Sequence, residues 1–381
     1  MAETAARWAL RAAGSDDEVV VADNGDTPLV LAIDDVRLRV LRADRVYSMP
    51  DNWERALSAA HGEDLILLGD RHRVVPGAIE RLLAVRDTPD DVVVYSHGSF
   101  VQSVAIDQID QVKALVNTPG TLEHVAQPGH SRKCSSREVL NDWYRTMRYT
   151  PIRPMLSTAI VPRRIVDDAV RRFGRFFHGM APDVASGLQI AANTVTYVET
   201  DIVGVVGQHP SRDARWSNGT ALATGAPLGS QFVREFGSDP LRNLPVLNAS
   251  VIYQTLAEFS RLRPDCAPPR LLGLSQFARS AAIEIESSKR PDRFRQHRAL
   301  LAATQNGKVR PMPAFAQART LFAAYVHPDV RQAFRSALTR VRNAVESSAT
   351  MPSTNPAVSV RCAGLEEAMA IASGAQTSQS E

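Results

Sequence analysis

The sequence predicts an α/β fold: a doubly wound, largely parallel sheet followed by a mostly helical C-terminal region. Two observations carry this expectation. Short continuous apolar runs recur through the first hundred of the 381 residues, separated by segments with helical patterning. The runs over 18–22 and 65–68 also end in loops rich in Gly, Asp and Asn, as buried parallel strands do where they emerge from a sheet.

Residues 2–13 read as a short helix, and 18–22 (EVVVA) as a buried strand that delivers Asp23-Asn24-Gly25-Asp26. Residues 36–41 form a second strand, in which Arg37 and Arg39 alternate with apolar side chains. Asp51 precedes a helix over 52–60 that stops before Gly62. Residues 65–68 (LILL) are a third strand leading to Gly69-Asp70-Arg71-His72, and Pro76 opens a helix over 77–85 in the first-turn position that suits proline. Residues 92–95 (VVVY) are a fourth strand, and 106–149 are polar and mixed. A basic helix over 163–177 carries Ile165, Val166, Ala169, Val170 and Phe173 on one face, a further helix follows Asp183, and 194–206 read as strand. From about 245 to 344 the pattern is helical, with breaks near Pro264–Pro269 and Pro311–Pro313. The domains expected are a sheet domain over 1–240 (a first half over 1–100 and a second over 150–240), a helical region over 241–346, and a Ser-, Ala-, Thr- and Gln-rich tail over 347–381 read as disordered.

Composition excludes several classes. The formal charge of +3 comes from 44 basic and 41 acidic side chains, a balance that does not call for nucleic acid as partner. Three scattered cysteines, Cys134, Cys266 and Cys362, make neither a disulfide framework nor a metal cluster and suit a cytoplasmic setting. No run of about 18 apolar residues exists to span a bilayer, and Glu3 and Arg7 interrupt any leader-like segment. The arginines at 163, 164, 171, 172 and 175 would suit a peripheral membrane contact, or simply a solvated face.

In open α/β sheets ligands gather at the carboxyl ends of strands, and Asp23 and Asp70 both stand at such ends. The surrounding residues carry a resemblance. Met49-Pro50-Asp51-Asn52-Trp53-Glu54 opens a helix, and a strand, Gly69-Asp70 and Val75-Pro76-Gly77-Ala78 follow. Upstream lies Val19–Asp26; downstream come Phe173-Gly174-Arg175-Phe176-Phe177, Ala181-Pro182-Asp183-Val184, Gly207 and Ser217-Asn218-Gly219. In this order, over about 18–219, these pieces resemble the family 2 glycosyltransferases, nucleotide-sugar enzymes of the GT-A fold.

The resemblance implies an inverting transfer of sugar from a nucleoside-diphosphate donor to the hydroxyl of a glycan, lipid-linked or small-molecule acceptor. It assigns Asp23, with Asn24 and Asn52, to the donor nucleoside, and Asp70 to ribose and metal. It puts His72 and the later His209 beside a divalent ion, Mn²⁺ or Mg²⁺, makes Asp183 the general base, and brings Ser217 and Asn218 to the acceptor. Chemically, the departing diphosphate needs a metal or cations, and the attacking hydroxyl needs a carboxylate to take its proton.

Two departures stand out. The family has further aspartates where this chain has Arg71 and His72. An imidazole suits Mn²⁺ better than Mg²⁺. At about 4 Å and an effective dielectric near 20, the Arg71 charge is worth roughly 4 kcal/mol. Arg71 then repels a metal, binds the diphosphate in its place, or marks lost activity, which leaves a catalytically impaired nucleotide-sugar-binding protein as the alternative. The family also begins with an apolar strand ahead of the first helix, so the expectation is that the natural start lies upstream of Met1. A nucleotidyltransferase, sharing the sheet and acidic site, would carry a Gly-rich phosphate loop near the start, and none is seen.

Overall fold

The computed structural model describes residues 2–102, 120–125, 130–146, 154–209, 247–266, single positions and short pieces between 277 and 300, and 358–362 and 364–374. Ser217, Asn218 and most of the expected helical region lie outside these residues.

The fold is mixed α/β. Helix α1 (Ala2–Ala12) leads to β1 (Val19–Asp23) and β2 (Leu38–Arg42), which pair in parallel as a two-stranded sheet. Helix α2 (Met49–Ala59) follows. Pro50 sits in its first turn and Ser48 caps it, with the Ser48 Oγ accepting from the Asp51 N–H at 3.3 Å. The helix thus starts three residues before the expected one, because serine, and not Asp51, is the cap.

An eight-stranded sheet holds the rest. It contains β3 (Asp64–Leu65), β4 (His72–Val74), β5 (Val93–Gln102), β6 (Gly120–Val125), β7 (Ser131–Ser135), β8 (Ala159–Pro162), β9 (Thr196–His209) and β10 (Val358–Cys362). Its centre is the parallel pair β5–β9, and the other pairs are antiparallel. The expected doubly wound, largely parallel sheet is therefore corrected to a mixed one. β4, β6 and β7 read as loop or polar chain because each is short or contains charged residues, and they are strands because β5 and the 14-residue β9 supply paired edges. Helices α3 (Ala78–Leu83) and α5 (Arg163–Phe173) lie against the sheet, and α6 (Pro182–Asn193) packs against α5, α4 (Ser136–Thr146) and α7 (Asn248–Leu262).

The expected disordered tail contains structure. β10 pairs with β6, and α8 (Leu365–Ala372) buries Leu365, Ala368, Met369 and Ala372 against Trp8, Leu82 and Leu122. Those four positions are one helical stripe, masked in the composition because two are alanines. Full burial of a Leu or Met side chain contributes about 1.5–3 kcal/mol, which offsets the ordering of the segment. The Arg11 guanidinium meets Glu366 at 2.9 Å.

Several arginines around α5 have protein partners. Arg163 donates to the carbonyls of Ala60 and Gly62 at 2.6 and 2.7 Å, Arg164 pairs with Asp90, and Arg175 with Asp51 at 2.8 Å. Among the described residues no helix is long and apolar enough to cross a membrane.

Candidate functional site

The expected site residues fall in three groups, two of them joined by one segment and the first connected separately through α2. The first is the loop after β1. Asp23 is only 7% exposed, and its carboxylate accepts from the N–H groups of Gly25 (3.1 Å) and Leu29 (2.8 Å) and from the Arg42 guanidinium (2.8 Å). Burial pushes its pKa up, but these donors outweigh burial and hold it below the usual value. The Asn24 amide is clamped both ways to the Tyr47 backbone, donating at 2.9 Å and accepting at 2.8 Å. Asn52 donates to the Ala22 carbonyl at 3.3 Å and accepts from Arg55 at 2.9 Å. These three side chains fix the shape of the loop and seat α2 against β1.

The second group is the turn from Gly69 to His72. Gly69 and Asp70 are exposed, and Arg71 and His72 are half-buried. The turn closes on itself: the His72 N–H donates to the Gly69 carbonyl at 2.9 Å, and the Gly69 N–H donates to His72 Nδ1 at 3.1 Å. Beneath it Arg73 is fully buried. It donates to the carbonyls of Asp70 (2.7 Å) and His72 (2.8 Å) and to the Gln208 side chain (2.8 Å), which in turn donates to Gln102 at 3.1 Å. Burial lowers the Arg73 pKa to about 10. His72 stands opposite Gly207 across the β4–β9 ladder, and the Gln208 N–H donates to the Arg71 carbonyl at 2.9 Å. The backbone of His209, the next residue, therefore ends β9 beside Asp70-Arg71. Its side chain lies outside what is described.

The third group is the start of α6. Pro182 takes the first turn, and Asp183 follows, half-buried, with its carboxylate accepting from the Val184 N–H at 2.9 Å. Desolvation raises its pKa, and the nearby backbone donors recover only part of that shift.

Residues 154–158 join the second and third groups. The Leu67 N–H donates to the Leu156 carbonyl at 3.0 Å, just before the Gly69–His72 turn. The Leu156 N–H donates to Ser186 Oγ at 3.2 Å, and that hydroxyl donates to the Asp183 carbonyl at 2.6 Å. The Ser157 carbonyl accepts from the Tyr95 hydroxyl (3.2 Å) and lies 3.1 Å from His97 Nε2. The His97 ring stacks on Tyr95 and meets the edge of His72 at 5.4 Å, and burial holds its pKa down to about 4. Asp70, Arg71 and His72 are thus linked to the helix of Asp183. Asp23, Asn24 and Asn52 belong to a neighbouring unit. It reaches the chain ahead of Asp183 through α2, where Arg175 pairs with Asp51 and the Glu54 carboxylate accepts from the Phe176 and Phe177 N–H groups.

That second connection encloses a cleft of about 640 Å³, between the start of α2, residues 175–180 and α7. Its wall includes Asp51, Arg175, His178, Glu258 and Arg261, and none of the residues singled out in the sequence as site residues. The sequence signal that marks it is slight: a His-Gly pair between two aromatic residues and Pro182-Asp183.

Among the described residues no three of His, Cys, Asp and Glu gather in a way that could hold a metal. Asp70 and His72 supply two donors, His72 Nδ1 already accepts from Gly69, and Arg71 stands between them. The His209 side chain, the third donor expected, lies outside the described residues, and no step is derived through a divalent ion.

No protein-family model and no curated protein matches the sequence. Among solved structures, the chain is similar to the crystal structure of S. aureus TarS, at 13% identity and a TM-score of 0.38, over 85% of this chain and 52% of that one. It is also similar to the crystal structure of S. aureus TarS 1-349 in complex with UDP-GlcNAc, at 12% identity and a TM-score of 0.33, over 79% and 76%. The chain spans about half the length of the first of these. Likenesses this distant carry no assignment of function.

Proposed function

We propose that the chain is a glycosyltransferase that moves a sugar from a nucleoside-diphosphate donor to an acceptor hydroxyl with inversion. The observation that carries the reading is Asp183. It is a carboxylate whose pKa burial raises, tied through Ser186 and Leu156 to the segment that delivers Asp70 and Arg71. A raised carboxylate pKa is what a general base near neutral pH requires.

In the displacement, Asp183 takes the proton of the acceptor hydroxyl as its oxygen bonds to the anomeric carbon. The bond from that carbon to the diphosphate breaks, and the electron pair stays on the diphosphate. Arg71, on the Gly69–His72 turn, is the cation suited to meet the charge that develops there. The nucleoside would lie against the loop that Asp23, Asn24 and Asn52 hold in shape.

The second reading, a nucleotide-sugar-binding protein without turnover, is favoured by one observation: the Arg71 cation stands between Asp70 and His72, where the resemblance expects an acidic residue. Thermal shift with UDP- and GDP-sugars, each with and without Mn²⁺, tests both. A donor at 100 times its dissociation constant adds about 2.7 kcal/mol of stability. Binding with release of nucleoside diphosphate supports the transferase; binding alone supports the second reading; no shift with any donor contradicts both.

A further inference from the structure

The cleft beside α7 holds a feature that the transfer chemistry leaves unexplained. His178 is 6% exposed, and its Nε2 is buried with no hydrogen-bond partner among the described residues. Burial, reinforced by the Arg175 and Arg261 charges, holds its pKa down to about 4, so the ring is neutral at physiological pH. A neutral imidazole carries its proton on one ring nitrogen and a lone pair on the other. Nε2 is a buried polar atom in either tautomer, and leaving it unpartnered is costly unless a ligand supplies the missing hydrogen bond.

The charges around it cancel. Asp51 pairs with Arg175 at 2.8 Å, and Glu258 and Arg261 add one charge of each sign on neighbouring turns of α7. With Gln254 also in the wall, the lining offers several hydrogen-bonding groups and no net charge. A volume of about 640 Å³ lies within the range of small-molecule sites.

We propose that this cleft binds a neutral, hydroxyl-rich ligand, a sugar or polyol, one hydroxyl of which hydrogen-bonds to His178 Nε2. Met180, also in the wall, precedes Asp183 by three residues, and the Ala181 N–H between them is fixed to Thr255 Oγ1 at 3.1 Å. The cleft wall is therefore held in place three residues ahead of Asp183 in the chain. That its ligand is the sugar acceptor rests on the transferase reading; that the cleft binds polyols does not.

The test is ¹⁵N NMR of the His178 ring in the full chain, titrated with maltose, cellobiose, lactose and sorbitol, with UDP-GlcNAc as a separate arm. At least one of the four neutral probes shifts His178 Nε2. His178→Phe weakens that probe's binding about tenfold, the loss of one well-made hydrogen bond, and Glu258→Gln, on the partly exposed face of α7, weakens it in the same direction. If none of the four shifts the resonance, or the two variants bind as the parent does, the proposal is overturned. It is overturned equally if UDP-GlcNAc alone shifts His178. A thermal shift with UDP-sugars that persists in His178→Phe keeps this result separate from the donor reading.

Discussion

Replacing Gly179 by alanine tests how tightly the segment between His178 and Asp183 is held. Gly179 has a φ of +68°, and a Cβ there would lie 2.9 Å from Thr255 Oγ1 and 3.1 Å from Thr255 Cα. The Thr255 hydroxyl cannot simply turn away, because it accepts from the Ala181 N–H at 3.1 Å and donates to the Val251 carbonyl at 3.0 Å. Two costs add. Left-handed backbone at a residue with a Cβ costs about 1–2 kcal/mol, and forced overpacking against α7 costs about 1–3 kcal/mol. The natural control is Gly174, which ends α5 at φ +77° with nothing within 4 Å of a Cβ, so Gly174→Ala bears the backbone cost alone. Urea denaturation of the two variants, with unchanged slopes, should show Gly179→Ala less stable than Gly174→Ala by about 1–3 kcal/mol. Equal losses would refute the claim that Thr255 pins this segment.

Three further outcomes follow from the electrostatics and the buried network. Folding raises the Asp183 pKa, so its stabilising contribution is present in acid, below the ordinary carboxylate range, and is lost as pH rises through the folded value. Asp183→Asn should therefore be more stable than the parent at pH 7, with the gain shrinking toward pH 4, as denaturation at the two pH values will report. His178 moves the other way. With its pKa lowered from 6.5 to about 4, its contribution is complete above 6.5 and is lost as pH falls between these values, about 3 kcal/mol in all; in His178→Phe the stability–pH curve should flatten over that window. Gln208→Leu takes one acceptor from the fully buried Arg73 and a partner from Gln102, and should cost about 2–4 kcal/mol by denaturant titration.

The local signals in the sequence carried the elements but not their assembly. The apolar run ending at Asp23 and the helix expected after Asp51 lie where patterning places them, within a few residues. Strands such as β7 (SRKCS) were illegible because their ladder partner, β9, lies more than 60 residues away and decides their conformation. The Leu365–Ala372 stripe was lost because two alanines weigh little in a composition count, yet each fills a close contact in the core. At the site, the acidic residues could be named from the ends of apolar runs and from resemblance. The raised pKa of Asp183 was not legible, since it depends on burial by distant segments. The cleft was hidden for the same reason: Asp51, His178 and Glu258 share a wall only after α2, the 175–180 loop and α7 have packed.

The most direct measurement of the central claim is nucleoside diphosphate release by the parent chain and by Asp183→Asn, side by side, with UDP- and GDP-sugars and a panel of hydroxyl acceptors. The account predicts acceptor-dependent release by the parent, and a fall of about 10²–10⁴-fold in the variant with donor affinity preserved. Release at the parental rate by Asp183→Asn, or no release from any donor, would contradict it.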